Sequence, residues 1–247
     1  MIVTTVVRLL RRRALVGLVA GTGFLAAAGS AQASGLLMEN FDDIGTLAGS
    51  GWTLTNNSSP LGSTNWFQGN NAVFTSQAGA SDAYIAANFL NADLGGNISN
   101  WLISPTLTLD NGETIAFYTR TDTDGSSFND HLELRLSTNG TSADVGGTAG
   151  SVGDFTTLLL TVNPLLNDSY PESWTLFTAT ISGLGAPVSG RFAFRYNVAD
   201  TSINADYIGI DTLSVTAAPV PEPGTLTMIG IGLAGLSLRR RRAARRV

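Results

Sequence analysis

Apolar and polar residues alternate with a period of two along much of this chain. In His131-Leu-Glu-Leu-Arg-Leu-Ser137, the leucines at 132, 134 and 136 share one face while Glu133 and Arg135 share the other, as a half-buried strand requires. Arg191-Phe-Ala-Phe-Arg-Tyr196 behaves likewise, with Phe192, Phe194 and Tyr196 on one side. The pattern predicts strands over residues 114–121, 131–138, 155–162, 174–182, 190–198 and 206–216, bounded by Gly, Asn, Asp and Ser clusters. Before Asn111 the strands shorten: 56–65 and 77–82 read as polar loops, and the Gly- and Asn-rich 91–100 as a turn or a flexible edge. Between Thr138 and Gly153 lies the most flexible-looking insert, and a long crossing of this kind suits a Greek key. The fold class expected is all-β, a jelly-roll β-sandwich over residues 34–217, with no internal repeat.

Both ends depart from the alternation. Arg8, Arg11, Arg12 and Arg13 precede an apolar stretch from Ala14 to Ala28, and Ala31-Gln32-Ala33 offers the small residues a signal peptidase reads, so residues 1–33 are expected to be a secretory signal peptide. Residues 218–247 hold a linker, Pro221-Glu222-Pro223, an apolar run to Leu238, and the arginines 239, 240, 241 and 242 (Arg239, Arg240, Arg241, Arg242), with Arg245 and Arg246 beyond. As a helix, residues 223–238 rise about 24 Å, somewhat short of the roughly 30 Å hydrocarbon core. Such an arginine cluster acts as a membrane stop and stays on the cytoplasmic side, leaving the preceding chain on the far side.

That tripartite order resembles a PEP-CTERM sorting tail, in which Pro-Glu-Pro, a short hydrophobic helix and a basic cluster are recognised by an exosortase. The resemblance implies transient membrane insertion through the C-terminal helix, processing of the tail, and delivery to the cell surface or extracellular matrix of a Gram-negative bacterium.

Removing both ends changes the charge. Between Ser34 and Ala218 four arginines face 18 carboxylates, so the net charge is −14 where the whole chain shows −5, and lysine is absent throughout. Such a surface repels phosphate backbones, which argues against nucleic acid, and attracts divalent cations. With no cysteine, disulfide and thiolate chemistry are excluded.

A second resemblance covers nearly all of the remaining chain. Glu39-Asn-Phe-Asp-Asp43, Gly51-Trp52-Thr53, Asn100-Trp-Leu-Ile-Ser-Pro105, Ile115-Ala-Phe-Tyr-Thr-Arg120, Trp174-Thr-Leu-Phe177 and Tyr207-Ile-Gly-Ile-Asp211, in that order with the two alternating runs above, look like a choice-of-anchor J domain, related to cleaved-adhesin and MAM-type jelly rolls.

The candidate chemistry is calcium binding. Asp122-Thr-Asp-Gly-Ser-Ser-Phe-Asn-Asp130 gathers Asp122, Asp124 and Asp130 with an amide and a glycine in one interstrand loop, the hard-oxygen set calcium takes, although Asp-Gly is equally good chemistry for a solvated turn. The jelly-roll resemblance implies a second, structural site shared by Glu39, Asp42 or Asp43 with Asp211. Asp211 sits in an apolar strand and needs a partner if buried; backbone amides would serve as well as a metal.

Catalysis finds little support. His131 is the single histidine, and no Gly-x-Ser-x-Gly elbow is present. The tryptophans 52, 66, 101 and 174 are expected in the core, with Trp66, in a polar loop, the best candidate for stacking on a sugar. The chain is therefore expected to be a non-enzymatic, surface-sorted adhesion or biofilm-matrix protein that binds extracellular polysaccharide. The alternatives are a carbohydrate-active enzyme working through two carboxylates and a passive structural coat protein.

Overall fold

The structure, a computed structural model, describes residues 35–123 and 128–218. The signal segment, the sorting tail and Asp124 lie outside the described residues. Among the described residues no helix is long and apolar enough to cross a membrane.

Among the described residues thirteen strands run β1 Gly35–Glu39, β2 Thr53–Asn56, β3 Ser59–Leu61, β4 Phe67–Gln68, β5 Ile85–Asn88, β6 Ala92–Ile103, β7 Leu107–Leu109, β8 Thr114–Thr121, β9 Leu132–Ser137, β10 Thr157–Val162, β11 Thr175–Thr180, β12 Val188–Val198 and β13 Tyr207–Thr216. They form two sheets, in the orders β11-β8-β13-β5-β4 with β1 also on β13, and β10-β9-β12-β6-β2 with β3 on β6 and β7 on β12. Every pairing is antiparallel, so the expected all-β sandwich is what the chain builds.

The alternation explains the core. Leu132, Leu134 and Leu136 of β9 and Phe192, Phe194 and Tyr196 of β12 turn inward to meet Ile115 and Phe117 of β8 and Ile208 and Ile210 of β13. Phe117 and Phe194 join the two sheets edge to face at 4.7 Å. On β13 the inward parity changes between Ile210 and Leu213, where the register with β8 slips between Asp211 and Ser214 and Thr212 takes a φ of +49°. This bulge lets one strand lie along β8 while its other side is shared by β5 and then β1.

Both outer faces are covered too. Over the first sheet, residues 69–82 bring Phe74 against Tyr84, Tyr207 and Trp174. A β-carbon on Gly209 would come within 3.0 Å of three of these rings, so only glycine lets them lie on β13. Over the second sheet, the segment between β9 and β10 packs Val145 and Phe155 onto Trp101, Ile103 and Ala193.

Three sequence expectations are corrected here. Residues 91–100 are no turn or loose edge, because from Ala92 onward they belong to the long strand β6. The Gly- and Ser-rich insert after Thr138 is a packed strap: the Asn57 amide donates to the carbonyls of Gly146 and Thr148, and its small residues let it lie flat. Trp66 is 4% exposed and belongs to the core, so it offers no sugar platform. Its polar surroundings turn their donors on one another, Asn56 donating to the carbonyls of Thr64 and Asn91 and Asn91 to the Thr64 hydroxyl, although Asn91 Oδ1 and the Trp66 indole N–H have no protein partner.

Candidate functional site

The acidic loop ends on a carboxylate that faces inward. Asp130 is 1% exposed and accepts from the Asp206 amide at 2.9 Å and from the hydroxyls of Thr121 and Tyr196. Its own carbonyl accepts from Asn163 at 2.8 Å. Burial raises its pKa to about 6, against the lowering effect of those donors. Both oxygens are thus engaged, Oδ1 with Tyr196 of β12 and the Asp206 amide just before β13, and Oδ2 with Thr121 of β8. Asp122, at the other end of the loop, caps the Thr123 amide at 2.6 Å.

The bracing by Asp130 shapes a groove. Phe89, in a 3₁₀ turn after β5, donates its amide to the Asp206 carbonyl at 2.9 Å, and Ala205 donates to the Asn129 carbonyl at 3.0 Å. Thr201 reaches the Asp93 carbonyl through its hydroxyl at 2.7 Å. Between these three segments opens a recess of about 310 Å³ lined by Phe89, Leu94, Phe128, Thr201, Ser202 and Asp206 among others. A shallower recess of about 130 Å³ continues past Leu90 and Asp93. Phe89 is 45%, Phe128 43% and Leu94 86% exposed, so the groove presents apolar surface to solvent beside hydroxyls and carboxylates.

No arginine lines it. Arg120 lies over the Phe74 ring, Arg191 donates to Thr106 and Thr53, and Arg135 and Arg195 converge on Glu133. The groove also has a definite place in the fold. It abuts the first residue of β13, whereas the chain leaves the sandwich after the last, Thr216, which pairs with Gly35 of β1. Ten residues of strand separate these ends by about 30 Å. A larger depression of about 630 Å³ beside residues 182–188 is lined by no charged and no aromatic side chain.

At the end where the chain enters and leaves, the acidic residues are engaged separately. Asp211 is fully buried; one oxygen accepts the amides of Gln77 and Ala78 at 2.8 and 3.1 Å, and the other the Thr212 amide. Burial raises its pKa against these donors. Glu39 accepts from the Phe41 amide at 2.9 Å and Asp43 from the Gly45 amide at 2.9 Å. Asp42 comes close to Gly79, so a β-carbon there would lie 3.0 Å from its oxygen. Of the two partners open to Asp211, backbone amides are the ones it has. Among the described residues no three His, Asp or Glu side chains form a group that could hold a metal ion.

His131 precedes β9, and its Nδ1 lies 2.9 Å from the Asn197 carbonyl, while Nε2 is buried without a protein partner. Burial lowers its pKa, so the neutral ring donates through Nδ1. Nearby, Glu133 is held below its usual range: burial would raise it, but Arg135 at 2.6 Å and Arg195 at 3.1 Å outweigh that. Arg195 also donates to Ser99 and to the strap carbonyl of Ala149, so this polar cluster is a clasp under the strap.

Sequence reasoning found Asp130 without reading it as an internal brace, found Asp211 with backbone amides and a metal left equally open as its partner, and missed the groove. Its residues come from 89–94, 128–130 and 201–206, and nothing local marks Phe89, Leu94 and Phe128 as outward-facing.

Residues 219–242 match the PEP-CTERM protein-sorting motif, which indicates export and exosortase-dependent surface sorting in Gram-negative bacteria. No curated protein matches the chain. Among solved structures, the chain is similar to the K1 cleaved adhesin domain of Lys-gingipain from Porphyromonas gingivalis, at 20% identity over 73% of this chain and 97% of that one, with a TM-score of 0.49. The K2 domain of the same protein gives 21% identity, 73% and 99% coverage and a TM-score of 0.48. The CBM22-1 xylan-binding domain from Paenibacillus barcinonensis Xyn10C gives 11% identity, 78% and 100% coverage and 0.43. The chain is thus an exported, sorted β-sandwich.

Proposed function

We propose that this protein is a surface adhesin that binds neutral extracellular polysaccharide through the groove between Phe89, Leu94 and Phe128. In this reading signal peptidase removes residues 1–33, an exosortase processes the tail after Pro221-Glu222-Pro223, and the sandwich stands on the surface or in the matrix. The observation that carries it is the groove's position, some 30 Å along β13 from Thr216, the last strand residue before the sorting motif in sequence. A ligand site there lies at the opposite end of β13 from the residues that lead, in sequence, to the sorting motif. Exposed phenyl rings suit the apolar face of a pyranose, and the exposed hydroxyl of Ser202, which donates to Asp200, keeps its oxygen as an acceptor for the sugar's hydroxyls. With carboxylates at the groove and the four arginines among the described residues engaged elsewhere, uronate or sulfate polymers are repelled.

Cells displaying the full chain are tested for retention on neutral and on acidic polysaccharide columns, alongside Phe89→Ala and Phe128→Ala. Retention on a neutral polymer, lost in both variants without loss of surface display, supports the proposal. Retention on acidic polymers, or retention untouched by both substitutions, overturns it.

A further inference from the structure

The sheet edges are unequal. Among the described residues, β2, β3, β4 and β7 are edge segments of four residues or fewer, and Pro60 lies in β3. β1 and β10 are longer, but each is interrupted by a register shift, and Glu39 closes β1. These are the ordinary protections against edge-to-edge pairing. β11 has none of them. Its six residues, Thr175-Leu-Phe-Thr-Ala-Thr180, pair one for one with β8 without a shift, and they include no proline, glycine or charge. Their backbone makes no hydrogen bond outside that ladder. The composition is that of a segment with high β-propensity.

We propose that β11 pairs antiparallel with β11 of a second copy about a two-fold axis, continuing the six-stranded sheet from one molecule into the next. Charge decides between a second copy and some other strand. Two domains of net charge −14 repel wherever their carboxylates meet, yet residues 173–190, the run that contains β11, hold no charged side chain; the longest uncharged run, residues 44–81, carries only the short edges β2, β3 and β4. β11 thus joins an uncharged flank to an edge long enough to pair, so a second copy meets no carboxylate on that strand. Leu176 is 51% exposed and sits opposite Tyr118 of β8, so a two-fold partner extends that apolar strip and covers it. The pairing leaves the groove free, since β11 lies at the sheet edge beyond β8 while the groove abuts the start of β13.

The chain has no cysteine, so single cysteines report contacts cleanly. Leu176→Cys, Thr178→Cys and Thr180→Cys, all on the exposed side of β11, are made in the full chain and displayed in an exosortase-bearing Gram-negative host, with Ser59→Cys on β3 as the control edge. After mild oxidation at least one β11 position is expected to give a disulfide-linked dimer at several times the Ser59→Cys yield. Raising salt increases the yield by screening repulsion between the copies. Adding Leu176→Lys to the best Thr variant abolishes the dimer while display and protease resistance persist. Equal yields from β11 and β3, no β11 dimer at all, or a dimer untouched by Leu176→Lys each overturn the proposal.

Discussion

The Asp211 carboxylate accepts the Gln77 amide at 2.8 Å, tying the last strand to a loop 134 residues earlier in the chain. The same oxygen takes the Ala78 amide, and the other oxygen holds Thr212 in the left-handed bulge of β13. Asp211→Ala leaves these buried donors unpaired and is expected to cost roughly 2–4 kcal/mol. Asp211→Asn keeps the oxygen facing Gln77 but turns an N–H toward the Thr212 amide, so its loss is smaller and not zero. Urea unfolding of the two variants beside the parent checks the order: parent, then Asn, then Ala.

Asp130 makes the sandwich pH-sensitive in an unusual direction. Its native pKa of about 6 exceeds the ordinary carboxylate value, so from about pH 4 to 6 the folded state keeps a proton that the unfolded state has lost. Stability therefore falls as pH rises through that window, by roughly 3 kcal/mol from this group, and is flat in this contribution above it. Asp130→Asn preserves an acceptor for Tyr196 and the Asp206 amide, while the Thr121 hydroxyl turns to the Tyr207 carbonyl, 3.0 Å away. Unfolding curves at pH 4.5 and 7.5 are expected to show the parent losing stability relative to Asp130→Asn as pH rises; a constant gap would contradict this.

The sequence showed the strands and the sorting motif more clearly than the site, for a physical reason. Leu132, Leu134 and Leu136 announce β9 because side-chain direction in a strand is set by the next residue but one. The parity change between Ile210 and Leu213 is invisible in that code, since an apolar strand reads the same on either side of a bulge. Asp211 could be seen to need a partner, but the amides that meet it come from residues 77 and 78, and no local pattern links them. Trp66 stands in a polar loop and reads as the best exception to an otherwise buried set of tryptophans; the amides of Asn56 and Asn91 donate within that loop, and the ring lies inside. The groove is the extreme case, because three separate segments make it and only their packing turns Phe89 and Phe128 outward.

Gly209 carries the first sheet's outer aromatic cluster. A methyl group there would stand 2.8 Å from Trp174 and 2.9 Å from both Phe74 and Tyr84, and none of these rings can swing away freely, since Tyr84 also donates to the carbonyls of Asn70 and Phe74. Gly209→Ala is expected to cost about 1–3 kcal/mol by overpacking and to alter the near-UV circular dichroism of the cluster. A substitution in open space serves as the control: no atom stands within 4 Å of a β-carbon at Gly147, so Gly147→Ala should leave both signals where they are.

Arg195 fixes the strap over the second sheet, and the geometry says why lysine cannot replace it. One guanidinium donates in three directions: Nε to the Ser99 hydroxyl at 3.0 Å, Nη1 to Glu133 at 3.1 Å, and Nη2 to the Ala149 carbonyl, while its plane lies near Trp101. A lysine ammonium is a single point and reaches one or two of these groups, so the strap carbonyl or the Ser99 hydroxyl loses its donor. Arg195→Met removes the charge as well, leaving Glu133 buried with Arg135 as its remaining cationic partner, at a cost of roughly 3–5 kcal/mol if the pair behaves as buried pairs do. Both variants are expected to speed proteolytic cutting between residues 139 and 156, Met more than Lys. The groove sits on another part of the fold, so cutting of the strap should proceed without loss of binding at Phe89 and Phe128. Cleavage rates followed by mass spectrometry, read beside polysaccharide retention, separate the clasp from the binding surface.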